Sequence, residues 1–147
     1  MRHNTLVLAA TLAVIALSAA CGSSTEPSEA SGVTSLQVTD VRIGTGAEAT
    51  PGRTVTVHYT GWVYSVSAAD HHGNRFQSSR DLGQPFSFVL GAGTVITGWD
   101  QGVVGMRVGG QRTLVIPPNL AYGDRPPSSQ IPSNATLVFD IELLDVR

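Results

Sequence analysis

The chain has 147 residues, 41% of them hydrophobic and 14% charged, with nine arginines, no lysine, eleven acids and a net charge of −2. That length and polarity suit one globular domain. Arginines scattered among acids make no basic patch, so binding to nucleic acid or to membranes by bulk charge is excluded, and a single cysteine, Cys21, excludes an intramolecular disulfide.

Arg2 precedes an apolar run over residues 6–17, followed by Ser18, Ala19, Ala20 and Cys21. A basic start, a short apolar stretch and a small-residue cleavage site read as a secretory signal over residues 1–20, too short for a comfortable membrane span. The site resembles the lipobox of bacterial lipoproteins, which implies that Cys21 becomes the lipidated first residue of the mature chain. The leucine preferred three places before that cysteine stands four before it, at Leu17, with Ser18 in its place. Lipid anchoring to the bacterial membrane is the expectation, with release as a secreted protein or retention of the leader as alternatives. All three place the domain outside the cytoplasm. Residues 21–32 are small and polar, with no large apolar side chain to bury, so they read as a flexible tether reaching about 18 Å. The domain itself is expected over residues 33–147.

Past residue 33 the pattern is rich in strands. Residues 53–64 alternate, with Val55, Val57 and Tyr59 on one face and Thr54, Thr56 and His58 on the other, as in a half-buried strand. Residues 136–146 repeat the alternation through Leu137, Phe139, Ile141 and Leu143. Shorter runs at 35–43, 85–90 and 112–116, each bounded by Gly or Pro, add strands. Only residues 97–104 suit a helix, with Trp99 and Val103 four apart, although Gly98 and Gly102 weaken it. One short helix against an antiparallel sheet is an α+β layout.

Six of the nine aromatics fall within a few short stretches: Tyr59, Phe76, Phe86, Trp99, Tyr122 and Phe139. Alternation alone makes Tyr59 and Phe139 core residues, and an aromatic on a weak helix is usually a core anchor. Tyr122 differs. It stands between Ala121 and Gly123 in a loop with Pro117, Pro118, Pro126, Pro127 and Pro132, which reads as the lip of an apolar pocket. Other chemistries lack their residues. Gly91-Ala92-Gly93 has Ile96 where a dinucleotide fingerprint needs glycine, no G-x-S-x-G elbow exists, and the acids are spread singly. Adjacent His71 and His72 have no spaced partner for a metal, and His58 reads as structural. No metal or cofactor is expected.

The stretches VHYTG (57–61), FQSSRD (76–81), PFSFVLG (85–91), VITGWDQG (95–102), AYG (121–123) and ATLVFDIELL (135–144) together resemble the FKBP family of peptidyl-prolyl cis-trans isomerases, over about residues 34–147. The resemblance implies an antiparallel twisted sheet wrapped around one short helix, and catalysis of X-Pro bond rotation without a nucleophile. It implies a proline pocket floored by Trp99 and walled by Tyr59, Phe86 and Phe139, with Val95 and Ile96 along one side. Donors from the Ile96 amide and the Tyr122 hydroxyl, and Phe76 and Ile131 flanking the mouth, complete it. The implied partners are proline-containing unfolded or nascent exported polypeptides and macrolide ligands. Where the family has aspartate after Phe76, with an arginine a few residues on, this chain has Gln77 and Leu82, which implies slower turnover and weaker macrolide binding. A proline-binding chaperone or surface lipoprotein with little turnover is the other reading. The connection over residues 62–75 is several residues longer than in short members and reads as an extended hairpin or flap beside the pocket. No conspicuous exposed apolar run argues against a monomer.

Overall fold

Strand β2 (Thr54–Tyr64) organises the domain in the computed structural model, which describes residues 31–147. The expected leader and Cys21 lie outside the described residues. Val55, Val57, Tyr59 and Gly61 are buried along one face of β2 while the residues between them are half-buried, as the alternation predicts. Strand β6 (Leu137–Val146) pairs antiparallel with it, from Val63 opposite Leu137 to Val55 opposite Val146. The sheet continues outward through β5 (Gln111–Ile116) to β1 (Gln37–Arg42). On its other edge β2 takes two partners in succession. β4 (Phe86–Val89) pairs with residues 54–57, and β3 (His72–Ser78) with residues 60–64. The six strands and one short helix, α1 (Thr97–Gly102), are the expected α+β layout.

Three local readings change. The connection after Gly61 is an extended hairpin as expected, but its returning arm is a regular strand, β3, that the sequence does not announce. Of its residues only Ser78 is buried, so the strand arises from pairing with β2 rather than from an apolar face of its own. The proline-rich stretch contains a 3₁₀ turn at Pro118–Leu120, where prolines at the cap and first position are tolerated. The helix ends two residues before 104. Arg112 Nη1 donates to the carbonyls of Gly102 at 2.8 Å and Val104 at 2.9 Å, giving the helix end side-chain partners in place of another turn.

Six residues make too short a helix to persist alone, and its two glycines cost roughly 1 kcal/mol each against alanine. Their reason is contact. A methyl group on Gly98 would lie 2.4 Å from Ile116 Cγ2, and one on Gly102 would lie 2.6 Å from Leu114 Cδ1. Bare backbone at both places lets α1 press directly onto β5, where Trp99 is 4% exposed and Val103 fully buried. Burying an indole of this size contributes roughly 4–6 kcal/mol, more than the glycines cost. Gly98→Ala and Gly102→Ala should each lower the unfolding free energy by about 1–3 kcal/mol through overpacking, despite alanine's better helix propensity. Urea unfolding measures this, and an unchanged or higher midpoint would show that close approach is not what holds the helix.

Candidate functional site

Trp99 sits where the helix meets the sheet, and other aromatics stand around it at steep angles. Tyr59 from β2 lies 4.9 Å away at 79°, Phe139 from β6 at 5.3 Å and 88°, and Phe86 from β4 at 6.1 Å and 72°. Edge-to-face contacts of this kind fix ring orientation as well as burying area. They leave a cavity of about 440 Å³, with Trp99, Tyr59 and Phe139 at its base and Phe86, Val95, Ile96, Thr94, Gln77 and Tyr122 around it. Tyr59 and Phe139 are 9% and 3% exposed, whereas Phe86 is 40% exposed, so the base is sealed and one wall is open. The structure thus brings together eight of the ten sequence-predicted site residues, and adds Thr94.

The other two stand behind the wall. Phe76 packs edge-on against Phe139 at 5.7 Å and 86° without lining the cavity. Gly61 makes room for this pair, since a methyl group there would meet both rings at 2.7 Å. Ile131 is 4% exposed within the core and does not line the cavity. Leu82, the leucine read together with Gln77, is 71% exposed on the loop after β3 and is not part of the lining. No residue of 62–75 borders the cavity, and the hairpin reaches it only through Gln77 on β3.

Two groups hold the site from outside, and sequence reading missed both. Asp100, on the first turn of α1, accepts hydrogen bonds from the amides of Gly91 at 2.8 Å and Gly93 at 2.9 Å. Both glycines have positive φ, +79° and +72°, and the turn they form leads into Val95 and Ile96. Ser79 holds Tyr59 by its backbone. Its Oγ accepts from the Tyr59 amide at 2.9 Å, and its own amide donates to the Tyr59 carbonyl at 3.0 Å. His58 Nδ1 lies 2.9 Å from the same Oγ, consistent with a structural histidine. The signal for Asp100 was a Gly-x-Gly turn shortly before an acid; hydroxyl clamps like Ser79 leave no periodic trace.

The cavity is lined by polar groups as well as by rings. The Ile96 amide and the Tyr122 hydroxyl have no acceptor among the described residues. Burial pushes the Tyr122 phenol above the ordinary tyrosine value, and burial followed by the neighbouring Tyr122 does the same to Tyr59. Both therefore remain neutral O–H donors through the physiological range. At the base, Trp99 Nε1 is buried with no hydrogen-bond partner. Leaving an N–H so costs about 1–3 kcal/mol, and its surroundings are aromatic rings. No cysteine, carboxylate or imidazole lines the cavity, and the described residues contain no cluster of three or more metal-ligating side chains.

An aromatic cup with uncharged donors around it defines a binding cavity for a compact apolar group. Comparison with known proteins gives the particular family. The sequence model described as FKBP-type peptidyl-prolyl cis-trans isomerase matches residues 46–144. The FK506-binding protein of Neisseria meningitidis serogroup A is 46% identical over 112 residues, covering 76% of this chain and 96% of that protein. The peptidyl-prolyl cis-trans isomerase FPR2 of Saccharomyces cerevisiae is 51% identical over 100 residues, 68% of this chain and 70% of its own. Among solved structures, AtFKBP13 superposes with a TM-score of 0.65 at 39% identity, covering 76% of this chain and 93% of that one. FkpA from Escherichia coli gives 0.64 at 42% identity over 78% of this chain, which spans only 49% of FkpA. The chain belongs to the FKBP family and is a peptidyl-prolyl cis-trans isomerase.

Removing the Asp100 carboxylate frees two amides of the turn that carries Ile96. Asp100→Ala should speed hydrogen exchange at residues 91–96 and lower kcat/KM for a proline tetrapeptide by about tenfold or more, since roughly 1 Å of misplacement costs about a hundredfold. Unchanged turnover with a loosened turn would show that the turn does not position the site.

Proposed function

We propose that this isomerase acts on proline-containing segments of exported polypeptides, with the proline ring on Trp99 and the flanking carbonyls held by the Ile96 amide and the Tyr122 hydroxyl. The observation that carries this reading is the pair of unpartnered donors, the Ile96 amide and the Tyr122 hydroxyl, on a cavity floored by aromatic rings. Rotation about an X-Pro bond has a barrier of about 18–20 kcal/mol and takes tens to hundreds of seconds unaided. At the half-rotated geometry amide resonance is broken and its charge separation reduced, so a dry aromatic cup disfavours that state less than the planar one. Two aimed donors then hold the turned chain. A thousandfold acceleration needs about 4 kcal/mol of such differential stabilisation, within the reach of two hydrogen bonds and pocket shape.

Export is supported by the leader-like residues 1–20, the small-residue site before Cys21 and the polar tether, which together favour a lipid-anchored enzyme outside the cytoplasm. Emerging chains there carry X-Pro bonds of mixed isomers. A monomer is favoured by the free edge of the sheet. Val41 and Ile43 on and beside β1 are 65% and 77% exposed, but a bulge between Asp40 and Arg42, both ion-paired, interrupts the strand against edge-to-edge pairing. Macrolide ligands would enter the same cavity. Gln77 on its wall lacks the charge of the family's aspartate, and exposed Leu82 offers no cation to steady one, so turnover and macrolide affinity are both reduced.

A protease-independent isomerisation assay on a proline tetrapeptide tests the mechanism. Tyr122→Phe should lower kcat/KM by about two- to tenfold, the worth of one hydrogen bond, and folded Trp99→Ala should abolish acceleration. Peptide binding without acceleration by the wild type would reduce the site to a chaperone pocket. Because the donors stay neutral and burial raises the Tyr122 phenol, the rate should be flat from neutral pH upward and fall only beyond the ordinary tyrosine value of about 10. A sigmoidal loss near neutrality would instead assign the step to a histidine. For macrolide binding, Gln77→Asp with Leu82→Arg should strengthen affinity and Gln77→Asp alone should not; calorimetry decides, and a wild-type affinity equal to that of aspartate-bearing relatives would overturn the role given to Gln77.

A further inference from the structure

Strand β2 has a second side. His58, Thr60 and Trp62 alternate with the core residues, and register sets His58 opposite Glu142 and Thr60 opposite Asp140 on β6. Gln111 and Thr113 on β5 stand across those same two acids. These residues line a cavity of about 260 Å³, together with Arg80 and Arg112. Tyr59 alone is shared with the proline cavity, so β2 is the partition between the two.

The arginines of this outer cavity are already paired. Arg80 pairs with Glu142, which Arg42 also approaches at 3.5 Å. Arg112 pairs with Asp40 at 2.6 Å. Two arginines and two acids leave the lining without net charge, which gives an ionic ligand no advantage. What remains open is of both kinds, neutral side chains and one carboxylate oxygen. Among the described residues, the Gln111 amide, His58 Nε2 and the Trp62 indole N–H have no hydrogen-bond partner. Asp140 takes the Thr113 hydroxyl at 2.7 Å on one oxygen, and its other oxygen is 3.7 Å from His72 Nε2, too far for a hydrogen bond. An apolar ligand would strand these groups, whereas a ring bearing vicinal hydroxyls supplies donors and acceptors together and C–H surface for the indole wall.

We propose that the outer cavity binds a neutral pyranose sugar, either free or as the end of a polysaccharide. The floor is preorganised, because register and ion pairs fix it before a ligand arrives. The test is ligand-observed NMR titration of the full-length protein with glucose, galactose, mannose and N-acetylglucosamine, with the N-acetylglucosamine tetramer as the polysaccharide arm and glycerol as an acyclic control. At least one pyranose should bind saturably in the millimolar range where glycerol does not. Asp140→Asn should weaken it about tenfold, as for loss of a charge-assisted hydrogen bond. Gln111→Ala should weaken it severalfold, with isomerase activity unchanged in both. Tighter binding of the tetramer assigns the site to polysaccharide, and equal binding to free sugar. Absence of saturable binding to every sugar, or binding that both variants leave intact, overturns the proposal.

Discussion

Bare backbone at Gly98 and Gly102, packed against Ile116 and Leu114, is the contact from which the site is built. A helix of six residues has no independent existence, and here it survives by lying flat on β5 with its indole and Val103 driven into the sheet. That depth decides where Trp99 sits, and Trp99 in turn sets the ring angles of Tyr59, Phe86 and Phe139. A helix lifted by the thickness of one methyl group would carry Trp99 out of this arrangement. The propensity penalty and the catalytic cavity are thus two consequences of the same packing.

The indole N–H that finds no acceptor follows from the same arrangement. Its neighbours at the base are rings, which offer it no oxygen acceptor. The Ile96 amide and the Tyr122 hydroxyl stand open at the cavity, whereas the indole N–H lies among rings. Positioning is delegated outward. Asp100 fixes the turn before Ile96, Ser79 fixes the backbone of Tyr59, and neither lines the cavity. Polar groups thereby shape the site from outside its lining.

Much of this was legible in the chain because burial on a strand leaves a period of two. β2 and β6 are read directly from Val55, Val57, Tyr59 and from Leu137, Phe139, Ile141, and the helix from the four-residue spacing of Trp99 and Val103. β3 was not legible, since HGNRFQS has no apolar alternation and is a strand only because β2 offers an unpaired edge. Ile131 and Phe76 illustrate a second limit: motif position places a residue near a site, but whether it lines the cavity or backs it depends on side-chain direction. Phe76 proves to be a brace for Phe139, made possible by Gly61, so the glycine of the VHYTG stretch serves ring packing rather than a turn.

The polar half of each strand is where period-two reading says least, because it reports only that a residue is not core. On β2 the residues His58, Thr60 and Trp62 look like ordinary solvent-facing positions, yet register lines them up with Asp140, Glu142, Gln111 and Thr113 across three strands. A row of that kind exists only once pairing is fixed, and a one-residue slip would send every member to the other face. The same register that assembles the aromatic cup therefore assembles the polar cavity behind it. Any change that shifts β2 against β6 must disturb both at once, whereas a change to one outward side chain, such as Gln111, leaves the cup untouched.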